Sequence, residues 1–190
     1  MAVENITSEQ IKEELEREQK KENILFSCKR MMFWLLVVAS CTVLIIILFI
    51  PVMRIRENSM APALHEGDIV VSVKNHTLQP GDIIGFHYGN NVLIKRYIAG
   101  PGQWVKIDDG GNVYVDDILI EEPYIQEKSL GNCNIEFPCQ VPDNRVFVLG
   151  DYRATSLDSR HVSIGFIEKE EIIGKIVFRL WPIQRLGNLQ

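Results

Sequence analysis

MMFWLLVVASCTVLIIILFIPVM, residues 31–53, carries no charged side chain along its whole length. A helix needs about 20 such residues to cross the roughly 30 Å hydrocarbon core of a bilayer. A buried soluble helix of this length would show a polar stripe, and none is present. A cleavable leader would have a shorter apolar core nearer the start of the chain. Here thirty residues precede the run, and it continues well past the small residues Ala39, Ser40 and Cys41. The stretch reads as a permanent single transmembrane helix. It separates a short first part, residues 1–30, from a larger second part, residues 54–190.

The flanks orient that span. Lys20, Lys21, Lys29 and Arg30 stand before it, against Arg54 and Arg56 just after it. Lys and Arg are retained on the cytoplasmic side, so residues 1–30 read as cytoplasmic and 54–190 as extracytoplasmic. The lipid bilayer is thus an expected partner. Residues 7–27 read as a charged helix opened by the capping-box pattern Thr7-Ser8-Glu9-Gln10. The chain has 190 residues and a formal net charge of -5, with no basic block. That balance excludes DNA and RNA as partners, because nucleic-acid binders gather Lys and Arg on one face.

Beyond the span the period changes from helical to alternating. In DIVVSVK, residues 68–74, Ile69, Val71 and Val73 are expected on an apolar face, with Asp68, Ser72 and Lys74 opposite. DIIGFHY and NVLIKRYIAG follow, joined at Gly89-Asn90-Asn91 in the manner of a hairpin. QWVKIDDGGNVYVDD repeats the pattern around an Asp-Asp-Gly-Gly-Asn turn, and RVFVLGD and KIVFRLWP close the series. EKEEIIG, near residue 170, reads as one helical turn. Many short strands punctuated by Gly and Pro indicate a compact, mostly β domain of about 135 residues, enough for a core of its own.

Three stretches carry possible chemistry. Ser59, in RENSMAPALHEGDIV (residues 56–70), lies a few residues past the span in a chain turned by Pro62 and Gly67-Asp68. A serine hydroxyl is a poor nucleophile at neutral pH and needs a base. Lys95 has Leu93 and Tyr97 at i-2 and i+2, inside an apolar strand. Burial there would favour the neutral amine, which can take a proton from a hydroxyl. The strand pattern by itself favours the plainer reading, a lysine snorkelling from an edge strand. In GDYRATSLDSR, residues 150–160, Asp158 and Arg160 alternate so that they can pair, and Ser156 can orient a nearby amine. A solvated loop accounts for the same composition.

In this order and after a membrane span, these stretches form a set. S-M-A-P-A-L at 59–64, G-D-I-V at 67–70, K-R-Y-I-A-G-P-G at 95–102 and G-D-Y-R-A-T-S-L-D-S-R at 150–160 closely resemble the motifs of bacterial type I signal peptidases. The resemblance runs from the span to about Pro182. It implies a signal-peptidase-like β-fold and a serine endopeptidase that removes signal peptides from exported preproteins, cutting after small residues in Ala-x-Ala. By the same resemblance Ser59 is the nucleophile and Lys95 its general base. Ser156 hydrogen-bonds and orients the lysine, Asp158 and Arg160 form a structural ion pair, and the Ser59 N–H is part of the oxyanion hole. Ile55, Met60, Leu64 and Ile94 line the shallow pockets for the substrate's small side chains. No cofactor and no metal are implied.

Three positions depart from the family pattern. Glu57 stands where Ser or Gly is usual, Ala63 where Thr is usual, and Tyr152 where Asn is usual. A carboxylate donates to an oxyanion only when protonated, so Glu57 leaves the second oxyanion donor open. Two other readings fit parts of the pattern, a self-processing Ser/Lys protease of the stress-repressor type and an inactive anchored β-domain. A histidine triad built on His65, His76, His87 or His161 is disfavoured by their scatter. Cys133 and Cys139, in CNIEFPC, are either bridged or free.

Overall fold

The structure is a computed structural model that describes residues 8–49, 51–74 and 77–189. Thr7, the expected cap, and His76 lie outside the described residues. The chain divides between residues 49 and 50 into two compact units.

The first unit is one helix, α1 (Ser8–Phe49). The expected charged helix and apolar span are thus a single rod, about 60 Å long at 1.5 Å per residue. It contains a helix long and apolar enough to cross a membrane. It ends at Phe49, short of Met53 and two residues before Pro51, which cannot continue a helix. Val52 onward is claimed by a sheet.

Twelve strands make up the described part of the second unit: β1 (Val52–Arg54), β2 (Ile69–Val73), β3 (Ile83–Tyr88), β4 (Asn91–Ala99), β5 (Trp104–Ile107), β6 (Val113–Val115), β7 (Ile118–Leu119), β8 (Cys139–Gln140), β9 (Arg145–Leu149), β10 (Ile167–Glu168), β11 (Ile172–Trp181) and β12 (Gly187–Asn188). The fold is mostly β, as the alternation predicts. A 3-10 turn at Lys169–Glu171 supplies the expected helical turn, and another lies at Ile183–Arg185. The larger sheet runs β1-β2-β11-β3-β4-β9-β10, with β12 added onto β11, and the smaller runs β7-β6-β5-β8. The β3–β4 hairpin pairs Tyr88 with Asn91, leaving Gly89-Asn90 as a two-residue turn. Gly89 has φ +56°, a conformation that favours glycine.

One expected face is reversed. In β2 it is Val70 and Ser72, with the preceding Asp68, that are buried, while Ile69 and Val71 are half-buried and Val73 is exposed. The cause is tertiary. Val70 packs with Ile55, Met60 and Leu64, while Asp68 receives Arg179 and Arg185 at 3.5 and 3.1 Å. Apolar periodicity does not register a polar residue that is buried because it is paired.

Strand β4 changes partners along its length. Asn91–Arg96 pairs with β3 and Arg96–Ala99 with β9, so Arg96 has a paired strand on each side while Asn91–Ile94 pairs with β3 alone. The expected alternation holds: Leu93 and Tyr97 pack with Ile84, Phe86 and Val148, and Ile94 packs with Ile55 and Met60.

Candidate active site

The loop between β1 and β2 is clipped at its base. Ile55 N–H donates to Asp68 O at 2.8 Å, and Gly67 N–H donates to Ile55 O at 2.9 Å. Inside the clip Leu64 N–H reaches Met60 O at 2.8 Å, and the Asn58 side chain accepts from Glu66 N–H at 2.9 Å. Met60 and Leu64 are sunk in the core and anchor the turn. This explains a serine flanked by Asn and Met with proline close behind. The two hydrophobes hold the loop down while Ser59, between them and the Asn58 turn, stays half-exposed.

Lys95 reaches the same point from β4. It is fully buried, so the snorkelling reading is overturned, and its Nζ lies 2.5 Å from Ser59 Oγ. Burial pushes the amine below its ordinary value, opposed chiefly by the negative charge of Glu57. When the amine is neutral, the serine hydroxyl donates to it, which is the arrangement of a nucleophile with its base. Among the described residues no histidine bonds to Ser59. His65 Nδ1 instead lies 2.7 Å from the Arg185 guanidinium.

The loop after β9 closes the other side. Tyr152 N–H donates to Ser59 O at 3.0 Å, joining the two loops directly. Asp158 and Arg160 pair as expected, Arg160 Nε donating to Asp158 Oδ1 at 2.8 Å, and both are buried. Asp158 Oδ2 also accepts Gly150 N–H at 3.0 Å. Arg160 further donates to the carbonyls of Leu130 at 2.7 Å and Arg153 at 2.9 Å. Ser156 departs from expectation. It is buried in this wall, but among the described residues its Oγ has no hydrogen-bond partner and does not bond Lys95. The hydroxyl instead occupies the space that a Cβ at Gly150 would need.

Gly150 therefore has no room for a side chain. A Cβ there would fall on Ser156 Oγ and come within 2.7 Å of Ser59 O. Gly150→Ala is expected to displace Ser59 and lower kcat by roughly 10²-fold, as misplacements of about 1 Å do. Steady-state kinetics beside a thermal melt checks this, since overpacking also lowers stability by about 1–3 kcal/mol.

Several supporting residues were not singled out from sequence. Arg96 grips Asp151 through two bonds of 2.8 and 2.5 Å, donates to Gly81 O at 2.6 Å, and lies 3.7 Å from the Tyr124 ring centroid. Arg153 pairs with Glu122 and donates to Gly150 O at 3.1 Å. The available signal was charge inside apolar context: Arg96 flanks Lys95 in a strand, and a buried guanidinium requires partners.

A cleft of about 420 Å³ leads to Ser59, lined by Val52–Glu57 on one side and Asn90–Ile94 on the other. Ile55, Met60 and Ile94 line it as expected. Leu64 does not. It is wholly buried among Ile55, Met60 and Val70, and supports the lining from beneath. The Asn91–Ile94 half of β4, unpaired by β9, offers an open strand edge along the cleft. Cys133 and Cys139 are both free thiols, and Cys133 Sγ lies 3.5 Å from Ile135 O. The groups in the cleft wall can thus activate a hydroxyl beside an extended chain.

Residues 28–181 match the model of a protein family described as signal peptidase, peptidase S26. The "Probable signal peptidase I-1" of Synechocystis sp. is 39% identical over 170 residues, covering 82% of this chain and 84% of that protein. "Signal peptidase IB" of Staphylococcus aureus is 30% identical over 184 residues, covering 84% of this chain and 94% of that one. A signal peptidase I crystal structure from Enterococcus faecalis is 28% identical, with a TM-score of 0.43, and covers 53% of this chain and 97% of that chain.

Proposed function

This chain belongs to the signal peptidase family, peptidase S26, and we propose on that premise that Ser59 and Lys95 are the nucleophile and general base with which it cleaves. Family membership makes it a membrane-associated serine endopeptidase that removes signal peptides from exported preproteins. The observation that carries the residue assignment is the 2.5 Å approach of a fully buried lysine amine to a half-exposed serine at the end of an open-edged cleft.

The chemistry follows from that placement. The substrate's last residues before the cut add as an extended strand to the free edge of Asn91–Ile94, gaining backbone affinity without a demanding sequence. Ile55, Met60 and Ile94 bound the lining closely, so small side chains fit. Lys95 takes the Ser59 proton as Oγ attacks the scissile carbonyl. The oxyanion faces the Ser59 N–H, which donates to no other group among the described residues. Loss of such a donor costs about 3–4 kcal/mol of barrier in comparable sites. The lysine returns the proton to the leaving amine, and the acyl-enzyme then awaits a water that Lys95 deprotonates in turn.

The span supplies the setting. Lys20, Lys21, Lys29 and Arg30 favour a cytoplasmic N-terminus, which puts the unit after the helix on the outer side. An anchored enzyme whose nucleophile follows its own span by a few residues meets the membrane-held substrate at high effective concentration.

Purified protein in detergent or vesicles, given a preprotein ending its signal in Ala-x-Ala, is expected to release a mature chain starting at the next residue. Phe in place of the last Ala should slow release by roughly 10²-fold, since a close-walled pocket excludes bulk more strongly than it discriminates a methylene. Equal cleavage of both, mapped by mass spectrometry, would overturn the assignment of the cleft.

A further inference from the structure

Among the side chains that line the cleft, Glu57 is the single acid, beside the bases Arg54 and Arg56. Its side chain is 57% exposed and makes no hydrogen bond among the described residues, so nothing there shows it holding the fold. Its carboxylate lies 3.8 Å from Lys95 Nζ.

The other charges facing that amine come from the loop after β9. They are Asp151, Asp158 and Arg160. Asp151 is bound by Arg96 and Asp158 by Arg160, each through two bonds, so their fields largely cancel at the amine. Strand β3 contributes Ile84 opposite Lys95, which is apolar. Glu57 is left as the uncompensated charge.

We infer that Glu57 is a positioning residue that acts through Lys95, holding a proton on the amine and so setting the pH at which the dyad becomes competent. This rests on the Ser59–Lys95 reading above. The sign is as follows: an anion beside the amine stabilises the ammonium, and only the neutral amine can accept the serine proton. Glu57 therefore moves the onset of activity to higher pH, against the burial that lowers it.

The test is the pH profile of kcat/KM, whose acid limb reports the base of the free enzyme. The substrate is an Ala-x-Ala peptide without titratable side chains. Glu57→Gln is expected to move the acid limb down by roughly 0.5–1 unit, giving roughly 3–10-fold more activity below the wild-type limb. Glu57→Asp, which keeps the charge, should lie nearer wild type. Thermal melts of both variants should match the parent. A Gln limb that superimposes on wild type overturns the inference, as does activity lost at every pH. Ser59→Ala runs alongside. If it is inactive while the Gln limb is unmoved, this inference alone fails; if it remains active, the dyad assignment itself fails.

Discussion

Lys95→Met is expected to give an enzyme that folds and no longer cleaves. The thioether matches the lysine stem in reach and fills the same buried channel, but it cannot accept a proton. General-base catalysis contributes roughly 10²–10⁴-fold, so kcat/KM for an Ala-x-Ala preprotein should fall by about that factor. Ser59→Ala should fall at least as far, and the double variant should be scarcely worse than Ser59→Ala alone, because residues acting as a unit are not additive. Stability should move the other way. Burial depresses the Lys95 pKa, so the folded state disfavours the ammonium that the unfolded chain carries up to about pH 10.4. Wild-type stability attributable to this group therefore rises with pH between the depressed folded value and the unfolded one. The Met variant should gain most over wild type below that window and lose its advantage by about pH 10.4. Denaturant melts at pH 7 and pH 10 read the difference. A Met variant that cleaves normally would remove Lys95 from the mechanism.

Arg160→Met carries the largest expected loss of stability. It strands Asp158, a buried carboxylate that would keep the Gly150 N–H and the backbone N–H of residue 160 but no cation. It also releases the carbonyls of Leu130, Ser129 and Arg153, which the guanidinium gathers from two loops. Removing one partner of a buried pair costs about 3–5 kcal/mol. For a domain of this size that is a fall in Tm of roughly 10 °C or more. Activity should decline with it, because the loop that loosens is the one whose Tyr152 N–H holds the Ser59 carbonyl. A loss under about 1 kcal/mol by denaturant titration would mean that the loop stands without the pair.

How far these features can be read before folding depends on the distance over which each is decided. The β3–β4 hairpin and the strands around Asp108–Asn112 are local, and alternation with turn residues finds them. The pairing of β11 with β2 is not. Lys175 meets Val73 and Trp181 meets Ile69 across about a hundred residues, with bulges between Ile176 and Phe178 and between Arg179 and Trp181. No short window contains that information. The same limit explains the reversed face of β2, where Asp68 is buried because Arg179 and Arg185 arrive from the far end of the chain. The ion pair of Glu122 with Arg153 is of the same kind.

The site divides along the same line. Local sequence pattern marks the membrane-grade run, the strand-rich remainder and the order of four motifs, because hydrophobicity, period and residue identity are properties of neighbouring positions. Whether Lys95 snorkels or is sealed, whether Ser156 touches it, and whether Leu64 lines the cleft or props it are settled only when the walls close. Proximity between positions far apart in sequence, and the exclusion of water that disfavours the Lys95 ammonium, exist only in the folded chain. That is also why Glu57, a departure without evident meaning as a letter, becomes a charge with a target once Lys95 Nζ stands 3.8 Å away.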